Sequence, residues 1–190
     1  LAFGYEKLKN PQMANKFYEK LLQNNPTETD YYNYGAFLIS CGEFETGHKY
    51  FTHRFSTGDK NLEYPVKNSP EKKWNLQSDI SDKTLLIYYE QGFGDTFMYC
   101  RFVPMMKNLA KQVIFVVQDN LYDLIKNSKT ISDGVMVVSE SQSGNLVYDV
   151  HMALLDIPFV LNISSQDIPL CEKYLEVAED KIKNYADKYL

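Results

Sequence analysis

The sequence predicts an α/β protein in which helical hairpins precede a parallel sheet flanked by helices. Three observations predict it. An approximate repeat with helical spacing occupies residues 1–56. Strand-like and helix-like runs alternate from residue 83 onward. Apolar residues make up 44% of a 190-residue chain, enough to bury a core. The expected organisation is helical repeats over 1–56, a linker over 57–82 and an α/β domain over 83–190.

The repeat is visible when residues 1–26 are laid on 34–59, a shift of 33. Ala2 meets Gly35, Ala14 meets Gly47, Phe17 meets Tyr50, Tyr18 meets Phe51 and Leu22 meets Phe55. Small residues face small ones and large apolar residues face large ones. Ala14, Phe17, Tyr18, Leu21 and Leu22 form a stripe with the i, i+3, i+4, i+7, i+8 spacing of a helix. Turns at Asn10-Pro11 and Cys41-Gly42 would close one hairpin in each copy. His48 and His53 are five apart, a poor spacing for one helix face, so they read as ordinary helix residues rather than metal ligands.

Residues 57–82 are polar, hold two prolines and show no period, as a connection should. Trp74, the single tryptophan, is expected to be buried at the junction of the two halves. Beyond it, 84–90 is apolar and β-rich, as a strand buried on both faces should be. Residues 96–110 carry apolar side chains at helical spacing, disturbed at Pro104. A second strand over 112–118, a short helix over 121–128, a third strand over 134–140, a fourth over 146–150 and a terminal helix over 174–190 complete the order. Short connections between alternating elements imply a parallel sheet with right-handed crossovers.

Charge and cysteines exclude several classes. The net charge is −5, with basic residues scattered among acids, which disfavours binding to a nucleic-acid backbone. Cys41, Cys100 and Cys171 are far apart with no paired spacing, so neither a disulfide framework nor a metal site is expected. No cofactor is expected. No apolar run is long enough to span a membrane and no leader-like segment opens the chain, so a cytoplasmic location is expected.

The stretch Glu90-Gln91-Gly92-Phe93-Gly94-Asp95 follows the first strand and opens a helix. Ligands bind beyond the carboxyl ends of such strands, so this turn is at the ligand edge. It lacks the third glycine of a dinucleotide fingerprint, since Phe97 stands there, and no Gly-Lys pair follows. A carboxylate at a helix start would repel a phosphate seated on the same N–H groups. Asp95 is either a helix cap or a general base held at the edge. His151, after Asp149, is either structural or a cleft residue.

Tyr34-Gly35, the small residues Ala14 and Gly47, the aromatic residues four positions later and Pro26 resemble the tetratricopeptide repeat. That resemblance implies a protein or peptide partner held by the helices, and an array that began before residue 1. Trp74, the Glu90–Asp95 turn with Arg101-Phe102, and 148–158 resemble bacterial repeat proteins carrying a glycosyltransferase-like module of GT-B fold. The turn is similar to that of ADP-heptose:lipopolysaccharide heptosyltransferases. The resemblance implies half of a GT-B fold, a Rossmann-like acceptor-side domain. It makes Asp95 the catalytic base, with Glu90, Gln91, Gly92, Gly94 and His151 lining the substrate edge; Arg101, deeper along the helix, reads as a member of an ion pair. A nucleotide-sugar would need a second α/β domain beyond Leu190, so this chain alone is expected to be inactive. The alternative is a non-catalytic interaction module in which Asp95 only caps a helix.

Overall fold

The computed structural model describes residues 1–62, 66, 69–168 and 173–189. The chain divides into two compact units, Leu1–Tyr64 with Pro158–Ile168, and Pro65–Ile157 with Pro169–Leu190.

The first unit is helical. Helices α1 (Ala2–Lys7) and α2 (Pro11–Leu22) pack as one pair, and α3 (Glu28–Ser40) and α4 (Phe44–Phe51) as another. The caps explain the boundaries. Asn10 accepts the Met13 N–H at 3.1 Å, with Pro11 in the first position, where its missing donor costs nothing. Thr27 and Asp30 form a reciprocal capping box at the start of α3. Ala14, Tyr18, Tyr34, Phe37 and Leu38 form the core of these helices. In the second pair, backbones touch. A Cβ added to Gly35 would lie 2.6 Å from the Phe51 nitrogen, and one on Gly47 2.9 Å from the Ile39 nitrogen.

The second unit is α/β. Strands β1 (Ile80–Tyr88), β2 (Ala110–Val117), β3 (Val135–Ser139) and β4 (Val150–Ala153) form one parallel sheet in the order β3-β2-β1-β4. The chain crosses from β1 to β2 to β3 in one direction and then returns to the far side of β1, so the switch point falls between β1 and β4. Leu86, Ile114, Val116 and Val138 cluster on one face; Leu85, Ile87, Phe115 and Val117 alternate with them and are fully buried.

Helix α5 (Phe93–Tyr99) follows β1 and tightens to 3₁₀ geometry over Cys100–Asn108. The disturbance expected at Pro104 within 96–110 takes this form, since Pro104 has no N–H to donate and crowds the carbonyl of Cys100. Helices α6 (Tyr122–Asn127) and α7 (Lys129–Ser132) lead into β3. The expected fourth strand over 146–150 lies four residues later, because Asp149 turns the chain in. Its carboxylate accepts the Thr84 N–H at 2.7 Å and its own N–H donates to the Thr84 carbonyl at 3.0 Å. Helix α8 (Ile157–Val160) follows β4. Helix α9 is Glu179–Tyr189, shorter than the 174–190 expected, and buries no residue.

Trp74 is 5% exposed and belongs to the α/β unit. Its N–H donates to the His151 carbonyl at 2.9 Å and its indole N–H to Ser78 at 3.0 Å. The end of the polar stretch over 57–82 is therefore an added edge on β4, with Lys73 bridged in parallel to His151. No helix among the described residues is long and apolar enough to cross a membrane.

Candidate functional site at the carboxyl edge of the sheet

The β1–β4 register ends at the Tyr88–Ala153 pair, so two exit turns leave the sheet side by side at the switch point. Crevices of this kind are where open parallel sheets hold ligands. Glu90 joins the two turns. It is 4% exposed, and its Oε1 accepts the Leu155 N–H at 3.0 Å. A charged acceptor on a buried backbone donor is among the stronger hydrogen bonds, so this link fixes the separation of the turns.

Gln91 follows with φ +58°, a left-handed conformation uncommon for a residue with a side chain. It reverses the chain into α5. Gln91, Gly92 and Gly94 are exposed and Asp95 is half-buried. Asp95 Oδ2 accepts the Gly92 N–H at 3.1 Å, the carboxylate half of a capping box. Its Oδ1 has no hydrogen-bond donor among the described residues. One oxygen is thus held and the other is left unbonded among the described residues.

His151 is not brought to this turn. It pairs with Leu86, inside the sheet, and is fully buried. Its Nε2 is 2.8 Å from the Ser69 carbonyl. Burial pushes its imidazole below the ordinary histidine value, opposed by that carbonyl. Arg101, expected in an ion pair, instead stacks its guanidinium 4.2 Å over the Tyr174 ring, and its Nε has no partner among the described residues.

Several residues at this edge had no signal in the sequence. Thr96 Oγ donates to Gln118 Oε1 at 3.0 Å, buried between α5 and the end of β2, and Gln118 Nε2 has no partner among the described residues. The Tyr174 hydroxyl donates to the Phe97 carbonyl at 2.9 Å, and the Glu176 N–H to Ser128 Oγ at 2.7 Å, so this segment straps α5. Tyr88 and Tyr89 stack at 5.0 Å at the end of β1, with the Tyr88 hydroxyl 3.5 Å from Glu140. Burial first, and Glu140 second, push the Tyr88 phenol above its ordinary value. Asp119, at the end of β2, accepts the Ser141 N–H at 3.0 Å, which holds its carboxyl low. Among the described residues no group of His, Cys, Asp or Glu is arranged to hold a metal.

No family model matches this chain, and no curated protein or solved structure matches it either.

Proposed function

We propose that the α/β unit is the acceptor-side half of a GT-B glycosyltransferase-like protein, preceded by the end of a tetratricopeptide array, with Asp95 as the base. The observation that supports this is the state of the Asp95 carboxylate. It stands at the carboxyl edge beside the switch point, with one oxygen anchored to Gly92 and the other without a donor among the described residues. In the reaction, the other Asp95 oxygen would take the proton of an acceptor hydroxyl as the hydroxyl's own oxygen bonds to the sugar carbon. The bond from that carbon to the nucleotide's phosphate would break, and the phosphate would leave with its electron pair. Gln91, Gly92 and Gly94 would form the acceptor's bed, while Glu90 sets the spacing of the turns. The nucleotide-sugar would sit on a second α/β domain.

The test uses a natural chain long enough to hold both domains, incubated with a panel of nucleotide-sugars. Asp95→Asn should abolish nucleotide release and sugar transfer yet leave thermal unfolding unchanged, because asparagine still accepts the Gly92 N–H. Undiminished turnover would remove Asp95 from the chemistry.

A second reading, a non-catalytic interaction protein, is favoured by Glu90 and His151. Both are buried and bonded to backbone, as residues with a purely structural role would be. Under it, Asp95 is only a cap and no nucleotide-sugar is turned over by the longer chain.

A further inference from the structure

We infer that the free edge of the sheet, strand β3, pairs with the same strand of a second copy of this chain, antiparallel about Val137. The inference rests on neither reading of the Glu90–Asp95 turn.

The strand order β3-β2-β1-β4 leaves β3 at one side of the sheet. In a parallel ladder a strand turns alternate N–H and C=O groups to its neighbour and the rest away. Strand β2 takes the inner set, in unbroken register from Val113–Val135 to Val117–Ser139. Among the described residues, nothing bonds to the backbone of 135–138 from the outer side. Exposed edges are ordinarily guarded by a charge, a proline or a bulge. The run Val-Met-Val-Val-Ser has none of these, and Met136 is 48% exposed.

The opposite edge is occupied. Lys73 bridges His151 in β4, and the Trp74 N–H donates to the His151 carbonyl at 2.9 Å. A β3 edge meeting a β4 edge, which would grow without limit, is therefore obstructed. Two β3 edges related by a two-fold axis close on themselves. Pairing about Val137 sets Met136 opposite the second copy's Val138, and Val135 opposite its Ser139. Opposite residues are both odd or both even. The backbone groups that face away from β2 in one copy thus meet those that face away in the other. Met136 also extends the apolar face that Leu86, Ile114, Val116 and Val138 already form.

Charge selects the antiparallel direction. Lys107 and Asp133 stand at the amino end of β3, with the ammonium 3.8 Å from the carboxylate. That ammonium lies over Gly134, where an added Cβ would come within 3.2 Å of it. Asp119, which accepts the Ser141 N–H, and Glu140 stand at the carboxyl end. The amino end is neutral and the carboxyl end carries two negative charges. A parallel pair would set the two acidic ends together, and like charges opposite each other destabilise a strand pair. The antiparallel pair sets Glu140 opposite the second copy's Gly134, and so beside its Lys107.

Sedimentation equilibrium of the whole chain tests this, over about 5 to about 500 µM. Expected is a weight-average mass that rises from 22.1 kDa toward twice that value and no further. Amide exchange over 135–139 should slow as the pair forms. Met136→Lys places a charge of the kind that guards natural edges at an exposed position, and should raise the dissociation constant at least about tenfold. Met136→Glu serves if the lysine variant fails to fold by circular dichroism. Lys107→Glu should weaken the pair about tenfold, and Lys107→Glu/Glu140→Lys should bring it back to within about threefold of the starting value. A chain that stays monomeric to about 500 µM overturns the proposal. So does a pair that Met136→Lys leaves intact, a charge swap that restores nothing, or a mass that climbs past two copies.

Discussion

His48 shows how burial alone sets a side chain's chemistry. It is 5% exposed in α4, and desolvation, with the nearby Arg54 charge adding to it, holds its imidazole at about 4 rather than the ordinary 6.5. The unfolded chain therefore binds a proton between pH 6.5 and 4 that the folded chain refuses. Stability rises with pH through this window and is lost as pH falls, by about 1.4 kcal/mol for each unit. Fully buried His151 acts in the same direction. Urea titrations at pH 7 and pH 5 should show a lower midpoint at pH 5, and His48→Phe, stacking on Phe44 as the imidazole does, should reduce the difference. The spacing of His48 and His53 reads as that of ordinary helix residues, but does not give their depth. His53 is partly exposed and pairs with Glu28 at 2.8 Å, while His48 is enclosed. At the same scale, burial pushes the Cys100 thiol up to about 12, and Cys41 is exposed; both are free, and Cys171 lies outside the described residues.

At the scale of elements, the close approach of α3 and α4 was legible, because Gly35 and Gly47 stand where a helix pair needs small residues. The structure adds that the neighbours are backbone atoms, which cannot swing aside. Overpacking of this kind costs about 3 kcal/mol, against about 1 kcal/mol gained in helix propensity. Gly35→Ala should therefore destabilise by about 2 kcal/mol. Gly4→Ala, at a helical glycine with nothing within 4 Å, should be neutral or slightly stabilising. Thermal unfolding of the two variants would show opposite signs; a stable Gly35→Ala protein would mean that the helices separate readily. Strand positions were also legible from their apolar runs, except that β1 begins at Ile80, inside the stretch read as a linker, and that β4 lies later than expected. There the run Leu146 to Val150 is mostly approach, and the strand takes up Val150–Ala153 once Asp149 has bonded to Thr84.

For the whole molecule, the chain does not divide at a single point. Pro158–Ile168 clusters with the helical unit although the α/β unit precedes and follows it. A polypeptide of residues 1–64 alone lacks that segment. Its helical circular dichroism signal should melt at lower temperature than the helical signal of the whole chain, since compact units lose stability with the contacts that close them. An equal melting temperature would show that 158–168 adds nothing.

The sequence by itself determined the order of the main elements, the mixed α/β class and the position of the Glu90–Asp95 turn at the carboxyl edge of the sheet. These follow from periods of 3.6 and 2 and from turn residues, all of which act within a few positions. Only the tertiary structure decided what the polar side chains do. The Glu90–Leu155 bond spans 65 positions, His151–Ser69 spans 82, Tyr174–Phe97 spans 77 and Thr96–Gln118 spans 22. No local pattern encodes such pairings. A buried polar group must find a partner wherever the packed chain brings one, and that choice is made by the fold as a whole.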